Sequence, residues 1–155
     1  MKCQSPTLRL AEFADAQQIA RMSRDLVEAG LGWSWTPERV RRSIQCPDTV
    51  VLSAHDGPRM GGFAIMEFLE EEAHLGLLAV DPSYRRAGLG RRLIRWLEES
   101  CTVAGSFVVY LELRASNPGA RAFYQALGYR CIAHVPRYYQ GIEAAIRMAR
   151  DLSAG

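Results

Sequence analysis

A mixed α/β fold, built on a mostly antiparallel sheet with one parallel pair of strands and flanked by helices, is predicted by three features of the sequence. Apolar segments at 49–54, 60–68 and 73–80 follow one another across short polar turns, which makes an antiparallel meander. A helix-patterned segment then leads to the apolar run Phe107 to Leu113, and strand, helix, strand implies a parallel pair joined by a right-handed crossover. Apolar residues at helical spacing recur on either side of that block.

Thr7 to Leu10 is a short first strand. Ala16 to Ala29 carries Ile19, Met22, Leu26 and Val27 as a helical stripe, with Asp15 as N-cap. Gly30-Leu31-Gly32-Trp33-Ser34-Trp35 breaks that helix. Thr36-Pro37-Glu38 then supplies a cap, a first-turn proline and a first-turn acid for a second helix ending near Cys46-Pro47. Thr49 to Ala54 and Met60 to Phe68 are strands joined by a turn at His55-Asp56-Gly57-Pro58, and Ala73 to Val80 follows the acidic turn Glu70-Glu71-Glu72. Gly90 to about Thr102 is a third helix with Leu93, Ile94 and Leu97 apolar, and Phe107 to Leu113 is the strand after it. Asn117-Pro118 opens a fourth helix through Leu127, Gly128 stops it, and Tyr129 to Val135 and Ile142 to Ala149 are the last two strands.

With 155 residues and 48% hydrophobic content, the whole chain, 1–155, is read as a single domain. A net charge of +2 argues against a general nucleic-acid surface. Cys3, Cys46, Cys101 and Cys131 form no Cys-x-x-Cys pair and read as free thiols, while His55, His74 and His134 lack metal-ligand spacing, so no metal is expected. No apolar run approaches the roughly 18 residues that span a bilayer, and no signal peptide is evident, so no membrane partner and a cytoplasmic location are expected.

The most informative stretch is Leu77-Leu78-Ala79-Val80-Asp81-Pro82-Ser83-Tyr84-Arg85-Arg86-Ala87-Gly88-Leu89-Gly90-Arg91-Arg92, an apolar strand running into a glycine-and-arginine turn that opens a helix. Two glycines let backbone approach a ligand, and the first amides of a helix have no intrahelical partner, so the turn suits phosphate. Arg85, Arg86, Arg91 and Arg92 add forked positive donors. The turn lacks the Gly-Lys-Ser/Thr ending of a Walker loop, and Leu93 stands where a dinucleotide fingerprint needs Gly or Ala. A diphosphate-bearing ligand remains, beside the plainer alternative of a glycine turn with solvated arginines.

Glu112 interrupts the apolar strand Val108-Val109-Tyr110-Leu111-Glu112-Leu113-Arg114, on the face shared by Tyr110 and Arg114. A charge there needs an ion pair, a solvated cleft or a function, and Arg114 is the candidate partner. Tyr124 is either core or a proton donor. Asn117 either caps the fourth helix or binds a ligand. Trp33 and Trp35 either wall an acceptor site or pack their loop on the sheet, and Glu70-Glu71-Glu72 is either a solvated turn or an attractor of cations.

The pattern Arg85-x-x-Gly88-x-Gly90 after Val80-Asp81-Pro82 resembles the acetyl-CoA pyrophosphate signature of the GNAT acetyltransferases, and the order of elements is similar along nearly the whole chain. Leu111-Glu112-Leu113-Arg114-Ala115-Ser116-Asn117 with Tyr124-Gln125-Ala126-Leu127-Gly128-Tyr129 resembles the RimI type, which acetylates the N-terminal amine of a ribosomal protein. That resemblance implies the GNAT acyl-CoA N-acyltransferase fold, with four helices and a splayed parallel pair, and acetyl-CoA as cosubstrate without a metal. It implies Glu112 as general base, directly or through water, and Tyr124 as acid. Leu78, Ala79 and Val80 would bind pantetheine, the Val80 amide polarising the thioester. Arg85, Arg86, Ala87, Gly88, Leu89, Gly90 and Arg91 would hold the diphosphate, and Asn117 would contact the coenzyme. Arg137 and Tyr138 would border the expected acceptor, a protein or peptide N-terminus, in a monomer or homodimer, with Trp33 and Trp35 as candidates for its wall. Two departures fall at the acceptor side. Gln140-Gly141 makes a short last loop followed by Ala144 where the type often has aspartate, and Gly32-Trp33-Ser34-Trp35 replaces a shorter Pro-Trp-Ser segment. A small-amine acceptor such as a polyamine, amino acid or antibiotic is the alternative reading, and a non-catalytic acyl-CoA-binding module a third.

Overall fold

A computed structural model of the chain describes residues 5–154, which leaves Cys3 outside the described residues. The strands β1 (Thr7–Leu10), β2 (Thr49–Asp56), β3 (Arg59–Phe68), β4 (Glu72–Val80), β5 (Val108–Arg114), β6 (Arg130–Tyr139) and β7 (Glu143–Asp151) form one sheet in the order β1-β2-β3-β4-β5-β7-β6. Every neighbouring pair is antiparallel except β4 with β5. Helices α3 (Leu89–Ala104) and α4 (Pro118–Ala126) cover one face, and α1 (Ala16–Met22) and α2 (Pro37–Gln45) the other. The central strands are therefore buried on both sides. In β2 and β3, Leu52, Ala64 and Met66 pack with Leu93, Ile94 and Leu97, while Val51, Phe63 and Ile65 pack with Ile19 and Val40.

The helix expected from Ala16 to Ala29 is α-helical only to Met22 and continues as a π-helical turn, Ser23–Val27. The Glu28 amide donates to the Ser23 carbonyl at 2.8 Å, the i to i+5 spacing of a π-turn. This wider turn carries the Glu28 carboxylate inward, where the Ser23 hydroxyl donates to it at 2.8 Å and the Ser34 amide at 2.7 Å. The sequence pattern carried no sign of the buried carboxylate. Helix α2 starts as its capping residues imply, with the Thr36 hydroxyl accepting from the Arg39 amide at 3.3 Å. Helix α3 begins at Leu89, one residue earlier than expected, and a 3-10 turn over Pro82–Ala87 precedes it. β6 runs to Tyr139 instead of Val135, because a register shift between Val135 and Tyr139 absorbs the irregular stretch and lets pairing resume at Tyr139 with Glu143.

Two irregularities in β4 shape everything that follows. Pairing with β5 stops after Leu75 with Leu111, so the strands part there. One residue later the register with β3 shifts, Met66 facing Leu75 and Ile65 facing Leu77, which leaves Gly76 as a bulge. The bulge reverses the alternation of the strand. Ala73 and Leu75 face α3 and α4, but beyond Gly76 it is Leu78 and Val80 that do, while Leu77 and Ala79 face α1 and α2.

Candidate active site

The parting of β4 and β5 opens a groove of about 810 Å³ lined from both faces of the sheet. Where β5 is gone, the outward N–H groups of β4 lose their ladder partners. The Asp81 amide donates to the Gly61 carbonyl of β3 at 2.8 Å, so by alternation the backbone groups of Ala79 also point to β3. Leu78 and Val80 instead point theirs into the gap, and the Val80 carbonyl accepts from Arg85 Nε at 3.2 Å on that open side.

At the end of β4 the chain turns into α3 through Gly88, whose φ of 73° is left-handed and beside which a side chain would meet open space. The first bond inside the helix runs from the Arg92 amide to the Gly88 carbonyl at 3.1 Å. The amides of Leu89, Gly90 and Arg91 therefore have no acceptor in the helix. Gly90 serves packing: a Cβ there would lie 3.0 Å from Phe123 Cζ of α4, so the two helix starts close together only around glycine. The Leu89 side chain is buried in the core, Ala87 is exposed, and Arg91 makes no hydrogen bond or ion pair among the described residues. Arg92 donates to the Ser5 hydroxyl at 3.3 Å. The side chain of Arg86 lies outside the described part of the chain. Free amides, a glycine bend and uncommitted guanidinium charge fit a diphosphate, and the unladdered Leu78 and Val80 amides fit an amide-bearing arm running along β4.

Glu112 stands at the apex, on the α1–α2 face because Leu111 and Leu113 take the other. Its side chain is 8% exposed and fully engaged: Oε1 lies 2.5 Å from His74 Nε2 and accepts from the Tyr138 hydroxyl at 3.2 Å, and Oε2 accepts from Arg147 Nε at 2.8 Å. Burial by itself would raise its pKa, but the His74 and Arg147 hydrogen bonds override that and hold it at about 2. The His74 imidazole moves the other way, raised above its usual 6.5 mainly by the Glu112 hydrogen bond.

The expected Glu112–Arg114 pair does not form. Residues i and i+2 of one strand are farther apart than cross-strand neighbours, and Arg147 stands directly opposite Glu112 on β7. Arg114 pairs with Glu143 at 2.7 Å and donates to the Ala29 carbonyl at 2.6 Å, fastening the end of the π-turn to β5. His74 and Arg147 were not among the expected site residues, although each, like Glu112, is a polar residue set in an apolar strand.

Tyr124 faces the groove from the α3–α4 side, 8% exposed. Among the described residues its hydroxyl makes no hydrogen bond, and burial, then neighbouring Tyr139, push it above the ordinary tyrosine value, so it stays protonated. Asn117 caps α4, its Oδ1 accepting from the Ala120 amide at 3.0 Å, and also lines the groove.

Trp35 lines the opposite side, with the Arg39 guanidinium 3.7 Å above its ring and the Gly76 bulge beneath it. Trp33 lies outside the groove lining, its Nε1 donating to the Ala20 carbonyl at 3.1 Å. Tyr138 and Tyr139 line the groove, while Arg137, exposed and left-handed at φ 54°, does not. The Gln140 side-chain amide donates to the Gly32 carbonyl at 2.7 Å and accepts from the Gly32 amide at 2.8 Å, joining the two loops that border this side. Among the described residues no group of three or more His, Cys, Asp or Glu is placed to hold a metal ion, and no helix is long and apolar enough to cross a membrane.

A family model described as Acetyltransferase (GNAT) domain matches residues 19–152. The [ribosomal protein bS18]-alanine N-acetyltransferase of Salmonella typhimurium is 42% identical over 105 residues, 66% of this chain and 70% of that protein. The N-alpha-acetyltransferase RimI of Mycobacterium tuberculosis is 34% identical over 145 residues, covering 89% of this chain and 87% of its own length. The crystal structure of the ribosomal-protein-S18-alanine N-acetyltransferase from Escherichia coli superposes with a TM-score of 0.81 at 30% identity, over 95% of this chain and 94% of that one.

Proposed function

As the chain belongs to the GNAT acetyltransferase family and is an acetyl-CoA-dependent N-acetyltransferase, we propose that its acceptor is the N-terminal α-amine of a protein or peptide, met in the cytoplasm. The likeness to relatives named for N-terminal acetylation supports this acceptor, and the observation that supports direct transfer is the division of the groove between the two faces of the sheet. Tyr124, Leu78 and Val80 belong to the α3–α4 side, and Glu112 with Trp35 and Tyr138 to the α1–α2 side. Two reactants approaching from opposite faces meet only where β4 and β5 have parted.

On the coenzyme side, the free amides at the start of α3, with Arg85, Arg86 and Arg91, hold the diphosphate. Leu78 and Val80 hold the pantetheine arm, the Val80 amide polarising the thioester carbonyl as charge grows on its oxygen. Asn117 contacts the same arm from the start of α4. On the acceptor side, Glu112 draws the ammonium to the apex and anchors the base function, while Trp35 and Tyr138 give it walls. Tyr124 gives its hydroxyl proton to the departing thiolate. Transfer is direct, with both reactants bound together, in a monomer or homodimer.

Acetyl transfer to a panel of free-N-terminal peptides, the same peptides Nα-blocked, and small amines tests the reading. Turnover of the free peptides alone is expected. Inert peptides beside a rapidly acetylated polyamine, amino acid or aminoglycoside would replace it with the small-amine reading.

A further inference from the structure

One polar side chain from each of five neighbouring strands converges at the apex on the acceptor side: Glu67 of β3, His74 of β4, Glu112 of β5, Arg147 of β7 and Tyr138 of β6. Arg147 and Tyr138 touch Glu112, and Glu67 stands opposite His74 in the β3–β4 register. Glu112 has both oxygens occupied and little surface, whereas the His74 side chain is 35% exposed and lines the groove. With Nε2 committed to Glu112, its Nδ1 has no hydrogen-bond partner among the described residues.

We propose that His74 is the group that takes the proton from the acceptor ammonium, and that Glu112 is the positioning residue behind it, fixing the imidazole tautomer and balancing the charge it gains. This rests on the reading of Glu112 as the seat of the base function and adds the residue through which it acts. A carboxylate held as low as Glu112 returns a proton at once to an amine whose ordinary pKa is near 8, whereas an imidazole raised above 6.5 is far better matched. The neutral imidazole, protonated at Nε2 toward Glu112, accepts the ammonium proton at Nδ1. The freed amine lone pair forms the C–N bond, the C–S bond breaks, and Tyr124 protonates the thiolate. The second proton leaving nitrogen restores Tyr124, and the imidazolium releases its own to solvent from its exposed edge, so one proton is released per turnover. Glu67 adds negative charge that raises His74 further, and Arg147 opposes it.

The test uses kcat at saturating acetyl-CoA and saturating acceptor, so that the limb reports bound groups. In the wild type, kcat falls on the acid side with a midpoint above 6.5. His74→Gln, which keeps a donor toward Glu112, is expected to lose 10-fold to 100-fold in kcat together with that limb, and His74→Ala to regain activity with added imidazole. NMR titration of the His74 ring in the acceptor-free protein adds a readout independent of acceptor identity: its pKa lies above 6.5 and falls in Glu112→Gln. A structural role would lower kcat at every pH without changing the limb or permitting rescue. His74→Gln with an intact limb, or a His74 ring insensitive to Glu112→Gln, overturns the proposal. Absence of peptide turnover with a normal His74 titration would overturn the acceptor reading alone.

Discussion

Two side chains of the groove, Tyr124 and Glu112, are assigned different parts in the proposed transfer, and each makes a separate prediction. Tyr124→Phe removes only a hydroxyl that bonds to nothing among the described residues, so stability and acetyl-CoA affinity by calorimetry should hold while kcat falls about 100-fold, the lower range for a lost general acid. Glu112 is held at about 2 against an ordinary 4.5, so its stabilising contribution is present above pH 4.5 and is lost as the pH falls toward 2. His74, raised above 6.5, contributes below that pH and loses its share as the pH rises through its folded value. Glu112→Gln removes both. Urea unfolding should show it less stable at pH 7 by on the order of 1–2 kcal/mol after allowance for solvent in the groove, the gap widening below pH 6.5 and closing only as the pH falls toward 2. Glu112 was legible because one acid in an apolar strand is conspicuous, but its partners were not. His74 and Arg147 lie 38 and 35 residues away, and only the register of three strands brings them to it.

The approach of α3 to α4 around Gly90 sets how closely the α3–α4 side of the groove can assemble. In Gly90→Ala the new Cβ would meet the Phe123 ring at 3.0–3.3 Å, so α3 must shift from α4 or the ring must turn. A loss of about 1–3 kcal/mol in thermal unfolding is expected, with acetyl-CoA affinity weakened in parallel as the amides move. Arg91→Ala makes the opposite split, since Arg91 has no partner among the described residues to lose: unchanged melting, weaker coenzyme binding and a shallower salt dependence. The glycine turn and both helix starts could be read from the sequence because caps, prolines and glycines act locally. The π-turn at Ser23–Val27 and the bulge at Gly76 could not, since each is settled by what packs on it: the buried Glu28 carboxylate in one case and the Trp35 ring in the other.

Across the whole molecule, Glu98 ties helix to sheet on the α3–α4 face. Its carboxylate, 6% exposed, accepts from Arg95 at 2.6 Å, from Arg150 of β7 at 2.8 Å and from the buried Tyr129 hydroxyl at 2.9 Å. Glu98→Ala strands these donors and should cost about 3 kcal/mol in chemical unfolding, with kcat at low temperature little changed because none of them reaches the apex. The meander and the single parallel pair followed from local patterns, but the place of β7 between β5 and β6 and the depth of the gap did not, because they depend on long-range pairing and on where β5 stops pairing with β4. That slit has a bearing on how such proteins diversify. On the proposed function each reactant has its own doorway, so swapping segments 29–36 and 136–142 for those of a relative should redirect which amine is modified and leave the grip on the nucleotide untouched.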